Sequence, residues 1–245
     1  MSRRWRKRWG ISRSASRAGR TNWPERPGRG NDSMSAHVIA LANLKGGCGK
    51  TTLSINLASG LARRAEVGLV DADPQGALRH WSGWGEAKSG LPRLFDDHDD
   101  VHRNLAQARE HCDYVIVDCP PSLDMNVTIA LLEHSHQVLI PVLPSPLDLW
   151  ASADTVEAVN KARENGNTGL AAYLVLNQTE PRSAMTRAMQ NAVSGLGLPV
   201  LPSAVRRRAA YRTAVVEGVS VYQLGGRGRA AVDEIETIID EVTSS

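Results

Sequence analysis

Apolar and polar positions alternate along the chain with two different periods, and each period predicts one kind of secondary structure. Short apolar runs bounded by turn residues indicate buried strands, and apolar residues three and four apart indicate amphipathic helices. Strands are predicted at residues 37–43, 67–71, 114–118, 137–142 and 170–176 and near Val200. Helices are predicted at residues 50–64, 101–111, 125–134, 149–165, 183–196, 209–217 and 230–242. Because the two kinds alternate, we expect an α/β fold, a doubly wound and mostly parallel sheet with helices on both faces.

Residues 1–33 differ from the rest of the chain in composition. They hold ten Arg and Lys residues against two acidic ones and lack apolar periodicity, so a disordered basic tail is predicted. Three alternatives remain open: a nucleic-acid-binding arm in which Trp5, Trp9 and Trp23 stack on bases, a transit peptide, or sequence upstream of a true start at Met34. Residues 34–245 are expected to form one domain. It is mildly acidic, with 19 basic and 24 acidic residues, although the whole chain carries +3.

The sequence argues against several classes of protein. No apolar run approaches the roughly 18 residues of a membrane-spanning helix, and no secretory segment opens the sequence. The three cysteines show no paired spacing, which argues against a disulfide framework or a zinc site. We therefore expect a reducing, cytoplasmic setting.

A glycine-rich stretch between the first predicted strand and helix has the residues of a phosphate-binding loop. Glycines let successive N–H groups face a phosphate at a helix N-terminus, a lysine reaches the β- and γ-phosphates, and a hydroxyl ligates Mg²⁺. Position 44, glycine in the ordinary pattern, is leucine here, and a second lysine opens the loop. The stretch consists of Lys45, Gly46, Gly47, Cys48, Gly49, Lys50, Thr51 and Thr52.

Three carboxylates follow predicted strands at the edge of the sheet where ligands bind in open α/β folds. Asp71 and Asp73 are two residues apart at the end of one strand, and Asp118 ends another apolar strand as a Walker-B aspartate does. Beside a phosphate-binding loop, these side chains are expected to position Mg²⁺ and an attacking water. The alternative for Asp71 and Asp73 is a solvated turn.

Taken together, these motifs resemble the ParA family of deviant Walker-A ATPases, and the resemblance covers essentially all of residues 36–243. The most specific matches are residues 45–52, 70–76 and 117–122, which occur in the family's order. Residues 77–81 and 144–150 are similar to the short branch that lacks an operator-binding domain, either ParF-like plasmid partition proteins or McdA-like carboxysome-positioning proteins.

The resemblance implies roles for individual residues. Lys45 is the signature lysine that crosses to the phosphates of the other subunit in an ATP-bound homodimer, and Lys50 serves the phosphates of its own subunit. Asp73 orients the hydrolytic water. The resemblance places Mg²⁺ at Thr51, Asp71 and Asp118, and the adenine side of ATP at Asn177 and Pro202.

The resemblance also implies partners. Family members are weak ATPases that are stimulated by DNA and by a ParB-like or McdB-like adaptor, and they distribute a plasmid, chromosome or carboxysome over the nucleoid without a membrane. As ATP-bound dimers they bind DNA nonspecifically, which needs clustered cations. The alternative for the basic residues is a solvated face. The candidates are Arg206, Arg207, Arg208, Arg212, Arg227 and Arg229.

Two other functions stay open as alternatives. A MinD-like membrane switch would end in a basic amphipathic helix, whereas residues 233–241 are acidic. A P-loop metabolic ligase would turn over a small acid without DNA.

Cys48 lies within the phosphate-binding loop, at a helix N-terminus beside two lysines, so its thiol pKa is expected to be lowered.

Overall fold

Six parallel strands form one sheet. The computed structural model describes residues 36–83, 91–96, 100–121, 125–180 and 184–244, so the predicted tail at 1–33 lies outside the described residues. The strands lie in the order β3-β2-β4-β1-β5-β6, and every neighbouring pair is parallel. This order confirms the predicted doubly wound sheet. The strands are β1 (His37–Leu41), β2 (Val67–Asp71), β3 (Arg93–Phe95), β4 (Tyr114–Asp118), β5 (Gln137–Val142) and β6 (Ala171–Leu176).

Helices connect the strands and cover both faces of the sheet. None of those in the described part of the chain is long and apolar enough to cross a membrane. The helices are α1 (Lys50–Leu61), α2 (Ala77–Gly83), α3 (Val101–His111), α4 (Met125–Glu133), α5 (Pro146–Glu164), α6 (Ala184–Val193), α7 (Ala209–Val216) and α8 (Arg229–Thr243), with 3₁₀ turns at Ser194–Leu196 and Val221–Arg227.

The structure departs from the predicted elements in several places. The sequence did not predict β3 or α2, because three and seven residues are too few to show a clear period. Near Val200 the chain makes a single bridge to Leu174 instead of a strand, since prolines lie on either side and cannot donate to a ladder. Helix α5 begins three residues before the predicted start, because Ser145 caps it and Pro146 suits its first turn.

Successive residues of the central strands are buried on opposite faces of the sheet. In β1, Val38 and Ala40 pack in one apolar cluster with residues of α3, α4 and α5. Ile39 and Leu41 pack in the other cluster, with residues of α1, α7 and α8. A parallel sheet covered on both faces buries every strand position, which explains why its strands are continuous apolar runs.

We predict that Gly60→Ala destabilises the fold, although alanine normally favours a helix over glycine by about 1 kcal/mol. A methyl group at Gly60 would overlap the Tyr222 hydroxyl and lie 2.5 Å from Ile239 Cδ1, so these two buried or half-buried side chains would have to shift. Overpacking of this kind costs about 1–3 kcal/mol, measured by urea unfolding. Gly169→Ala is the control, because nothing lies within 4 Å of its Cβ position. Equal stability of the two variants would contradict the prediction.

Candidate nucleotide-binding site

The loop between β1 and α1 is shaped by two glycines and ends at a helix N-terminus. Gly47 and Gly49 have φ angles of 80° and 96°, in the left-handed region that favours glycine. Gly49 is the N-cap of α1 and no side chain caps the helix there, so its first N–H groups can bind an external anion. Leu44 does not have a positive φ, which explains why leucine can stand where the ordinary pattern has glycine.

The amide of Asn43 fixes the start of this loop, and the sequence analysis missed it. Its Nδ2 donates to the Pro141 carbonyl at 2.8 Å and to Ser152 Oγ at 3.2 Å, while its Oδ1 accepts from the Lys45 N–H at 3.0 Å. The N–H of Leu44 donates to Thr155 Oγ1 at 3.1 Å. The loop is therefore tied to β5 and α5. The sequence feature that could have indicated this role is the position of Asn43 directly after an apolar run.

Lys50 is buried and turned back into the loop. Its Nζ donates to the Asn43 carbonyl at 2.8 Å and to the Lys45 carbonyl at 3.3 Å. Neutral carbonyls satisfy the ammonium without cancelling its charge, so Lys50 remains a cation beside the helix N-terminus. This is the arrangement that a phosphate-binding lysine requires.

Lys45 points away from its own loop. Its ammonium forms an ion pair with Asp148 in the first turn of α5, and its side chain is 35% exposed. The structure therefore gives this lysine a carboxylate partner within the same subunit, which the sequence did not predict.

Asn177, directly after β6, braces the phosphate loop. Its Nδ2 donates to the Cys48 carbonyl at 2.6 Å, and a Cβ at Gly49 would overlap the same nitrogen. Glycine is thus required at position 49 for its close packing as well as its φ. Pro202 is exposed on the loop after the Val200 bridge. The adenine-side roles of Asn177 and Pro202 stay predictions.

The end of β4 offers a buried carboxylate oxygen with no partner. Asp118 Oδ1 accepts from Ser54 Oγ at 3.1 Å, but Oδ2 has no hydrogen-bond partner within the described residues. Burial, and to a lesser degree the charge of Asp71, raises the pKa of Asp118 to about 7, against the pull of the Thr51 and Ser54 hydroxyls and of Lys50. An orphaned carboxylate oxygen beside a threonine hydroxyl fits Mg²⁺, which takes oxygen ligands.

Asp71 lies opposite Asp118 in the register of β2 and β4, but its oxygens are engaged elsewhere. They accept backbone N–H groups from Asp73 at 3.1 Å, Leu78 at 3.1 Å and Arg79 at 3.3 Å. Asp71 therefore shapes the turn that leads into α2, and its role at the metal stays a prediction. Asp73 is half-buried in that turn, where its Oδ1 accepts from the Gln75 N–H at 2.9 Å.

The expectation that Cys48 has a lowered pKa is wrong. Its side chain is fully buried, and its thiol donates to the Lys45 carbonyl at 3.4 Å. Burial raises the pKa of the thiol because desolvation of the thiolate outweighs the attraction of Lys50. Cys48 is therefore a packing residue of the loop and not a reactive thiol.

The six candidate arginines do not form one uniform surface. Arg206 and Arg208 both approach Glu234 of α8, and Arg208 lies 2.6 Å from its Oε1. Arg207 pairs with Glu180 and Arg227 with Glu217, each at 3.3 Å. Arg212 and Arg229 are exposed and make no ion pair within the part of the chain that the structure describes.

Known proteins match this chain over most of its length. The model of the CobQ/CobB/MinD/ParA nucleotide binding domain matches residues 39–221. The chain belongs to this family. Among its relatives is Maintenance of carboxysome distribution protein A of Halothiobacillus neapolitanus, 60% identical over 215 residues, which are 87% of this chain and 99% of the relative. A protein with the same name from Gloeobacter kilaueensis is 34% identical over 218 residues, covering 87% and 97%.

Solved structures agree with the family fold. The ATP complex of a single-residue variant of McdA from Cyanothece superposes with a TM-score of 0.70 at 20% identity, covering 86% of this chain and 97% of that one. MinD of Aquifex aeolicus superposes with a TM-score of 0.62 at 18% identity, covering 84% and 98%. This chain therefore has the same fold as these proteins, although the sequence identities are 20% and 18%.

We predict that Asp118→Asn stabilises the protein without nucleotide in a pH-dependent way. The folded pKa of about 7 exceeds the ordinary value of 3.8, so stability falls as pH rises through this window. Removing the buried charge should raise Tm by roughly 5 °C or more at about pH 8, with a smaller gain at about pH 5. Thermal melts at both pH values check this, with the exposed Asp154→Asn as control. An equal gain at the two pH values would overturn it.

Proposed function

We propose that this chain is an ATP-hydrolysing dimeric switch that distributes carboxysomes over the nucleoid with an adaptor protein. The observation that carries this proposal is the 60% identity to the carboxysome distribution protein of H. neapolitanus, over 99% of that protein's length. The phosphate loop supports it, since a positive-φ glycine turn, a helix N-terminus and a buried lysine converge there. Plasmid partition uses the same kind of ATPase, so carboxysome distribution differs from it in the cargo that is moved.

Each residue of the site has its own role in the proposed hydrolysis. The N–H groups at the start of α1 and the ammonium of Lys50 bind the phosphates of ATP and stabilise the charge that develops during transfer. Thr51 would hold Mg²⁺ directly and Asp118 would hold it through water, and the ion would neutralise charge on the phosphates. Asp73, in the turn after β2, orients the attacking water. Asn177 keeps the loop in place through its bond to the Cys48 carbonyl.

Lys45 supplies the part of the site that requires a second subunit. A cation delivered in trans stabilises transition-state charge as an arginine finger does, so hydrolysis depends on an ATP-bound homodimer. The turn that contains its partner Asp148 also presents Leu147 and Trp150, which are 67% and 69% exposed. Large apolar side chains beside a lysine that acts in trans support a second copy of this chain as the partner that covers them.

A complementation experiment tests the proposed cargo. In H. neapolitanus lacking its own distribution protein, this chain, supplied with its adaptor, should restore evenly spaced carboxysomes, scored by a fluorescent shell protein. Lys45→Ala should fail to restore spacing while still binding ATP, because only the contribution in trans is lost. Full activity of Lys45→Ala would contradict the dimeric switch. Carboxysomes that stay clustered, together with stable inheritance of a plasmid, would favour plasmid partition. ATP turnover that requires a small-molecule substrate and no DNA would favour a metabolic ligase.

DNA binding should depend on Arg212 and Arg229, which are exposed and make no ion pair with any other described residue. We predict that Arg212→Ala and Arg229→Ala each weaken ATP-dependent binding to random duplex and reduce the slope of log K against log salt by about 1. Arg208→Ala should instead lower stability by about 1–3 kcal/mol, because Glu234 loses a hydrogen-bonded partner. Salt titrations by fluorescence anisotropy and urea unfolding separate the two effects. Arg103→Ala, which removes one exposed positive charge that lies 3.9 Å from Asp100 on another part of the domain, is the control. ATP-independent binding lost with residues 1–33 would assign the DNA contact to the tail.

A further inference from the structure

The carboxylate that holds Lys45 is itself firmly positioned. Asp148 is buried at the start of α5, where its Oδ2 accepts a hydrogen bond from Ser145 Oγ at 2.6 Å. The N–H of Asp148 donates back to the same hydroxyl at 3.3 Å. Its other oxygen, Oδ1, faces the Lys45 ammonium. Ser145 thus fixes the direction of the carboxylate, and Lys45 is its ionic partner.

The backbone of Lys45 is fixed, so only its side chain can change partners. Its N–H donates to Asn43 Oδ1 at 3.0 Å, and its carbonyl accepts from Cys48 Sγ at 3.4 Å and from Lys50 Nζ at 3.3 Å. Rotation about the side-chain bonds is therefore the motion by which the ammonium can leave Asp148.

The environment of the pair makes this exchange reversible. The Lys45 side chain is 35% exposed, and partly exposed ion pairs are weak compared with a cation bound to a triphosphate. After the lysine leaves, Asp148 keeps the Ser145 hydrogen bond and lies in the first turn of α5, where a negative charge is favoured by the helix dipole. Release of Lys45 therefore leaves Oδ2 paired with Ser145 but takes the ionic partner from the buried Oδ1, so the exchange needs an anion that binds the lysine more strongly.

We infer that Asp148 is a positioning residue that holds Lys45 in its own subunit until an ATP-bound second copy supplies phosphates in its place. This inference deepens the proposed dimeric switch and rests on it. The contact stabilises the unpaired subunit and opposes dimerisation. Removing the charge of Asp148 therefore favours the dimer at lower ATP concentrations.

Two measurements on Asp148→Asn test the inference in the full chain. In the protein without nucleotide, acylation of Lys45 by an amine-reactive ester, followed by mass spectrometry, should accelerate at least about two- to fivefold, the range expected for a weak ion pair with one partly exposed partner. With a non-hydrolysable ATP analogue, the concentration at half-maximal dimer, measured by analytical ultracentrifugation, should fall by a similar factor.

Two control variants separate positioning from a general structural effect. Asp148→Glu retains the charge and should restore slow acylation and the wild-type dimer midpoint. Asp154→Asn makes the same change of charge on an exposed turn of α5 and should alter neither quantity. Thermal melts confirm that each variant is folded.

The outcomes distinguish this inference from the proposed function. Unchanged acylation of Lys45 in Asp148→Asn, or an equal change in Asp154→Asn, overturns the contact. Faster acylation with an unchanged or higher dimer midpoint overturns its opposition to dimerisation. A wild-type chain that stays monomeric with the ATP analogue, while its Lys45 is still protected by Asp148, overturns the dimeric switch instead.

Discussion

The buried amide of Asn43 is the interaction on which the geometry of the nucleotide site depends. One side chain links the end of β1 to a carbonyl of β5, to Ser152 on α5 and to the backbone of the phosphate loop. Because its partners lie on three separate elements, the loop conformation is set by the sheet and by α5 rather than by the loop alone. The backbone carbonyl of Asn43 also accepts a hydrogen bond from Lys50. The same residue therefore positions both the loop and its principal cation.

The electrostatics of the site follow from this rigid frame. Lys50 is satisfied by neutral carbonyls, Asp118 retains an oxygen without a partner among the described residues, and Lys45 is paired with a carboxylate at the rim. In the proposed function, a bound magnesium–triphosphate complex would give Lys50 an anionic partner and Asp118 a cationic one.

The sequence was sufficient for the features with local signatures. The strands β2, β4 and β5 have the predicted bounds because buried parallel strands are continuous apolar runs. The phosphate loop was equally readable, since its residues are adjacent. The hydrogen bonds that fix Asn43 and Leu44 could not be predicted, because their partners lie 98 to 111 positions away in the sequence. Cys48 was misjudged because the charges of its neighbours are visible in sequence but its burial is not.

The contact at Gly60 has a mechanical consequence. Because Gly60 has no side chain, Ile239 of α8 and Tyr222 pack closely against α1, and Tyr222 donates a hydrogen bond to Glu236 at 2.8 Å beside the contact. Helix α1 begins at the phosphate loop, and α8 holds Glu234, the anchor of Arg206 and Arg208. Arg206 and Arg208 are therefore connected to the helix that starts at the phosphate loop through the contact of α1 with α8 and through the ion pairs of Glu234.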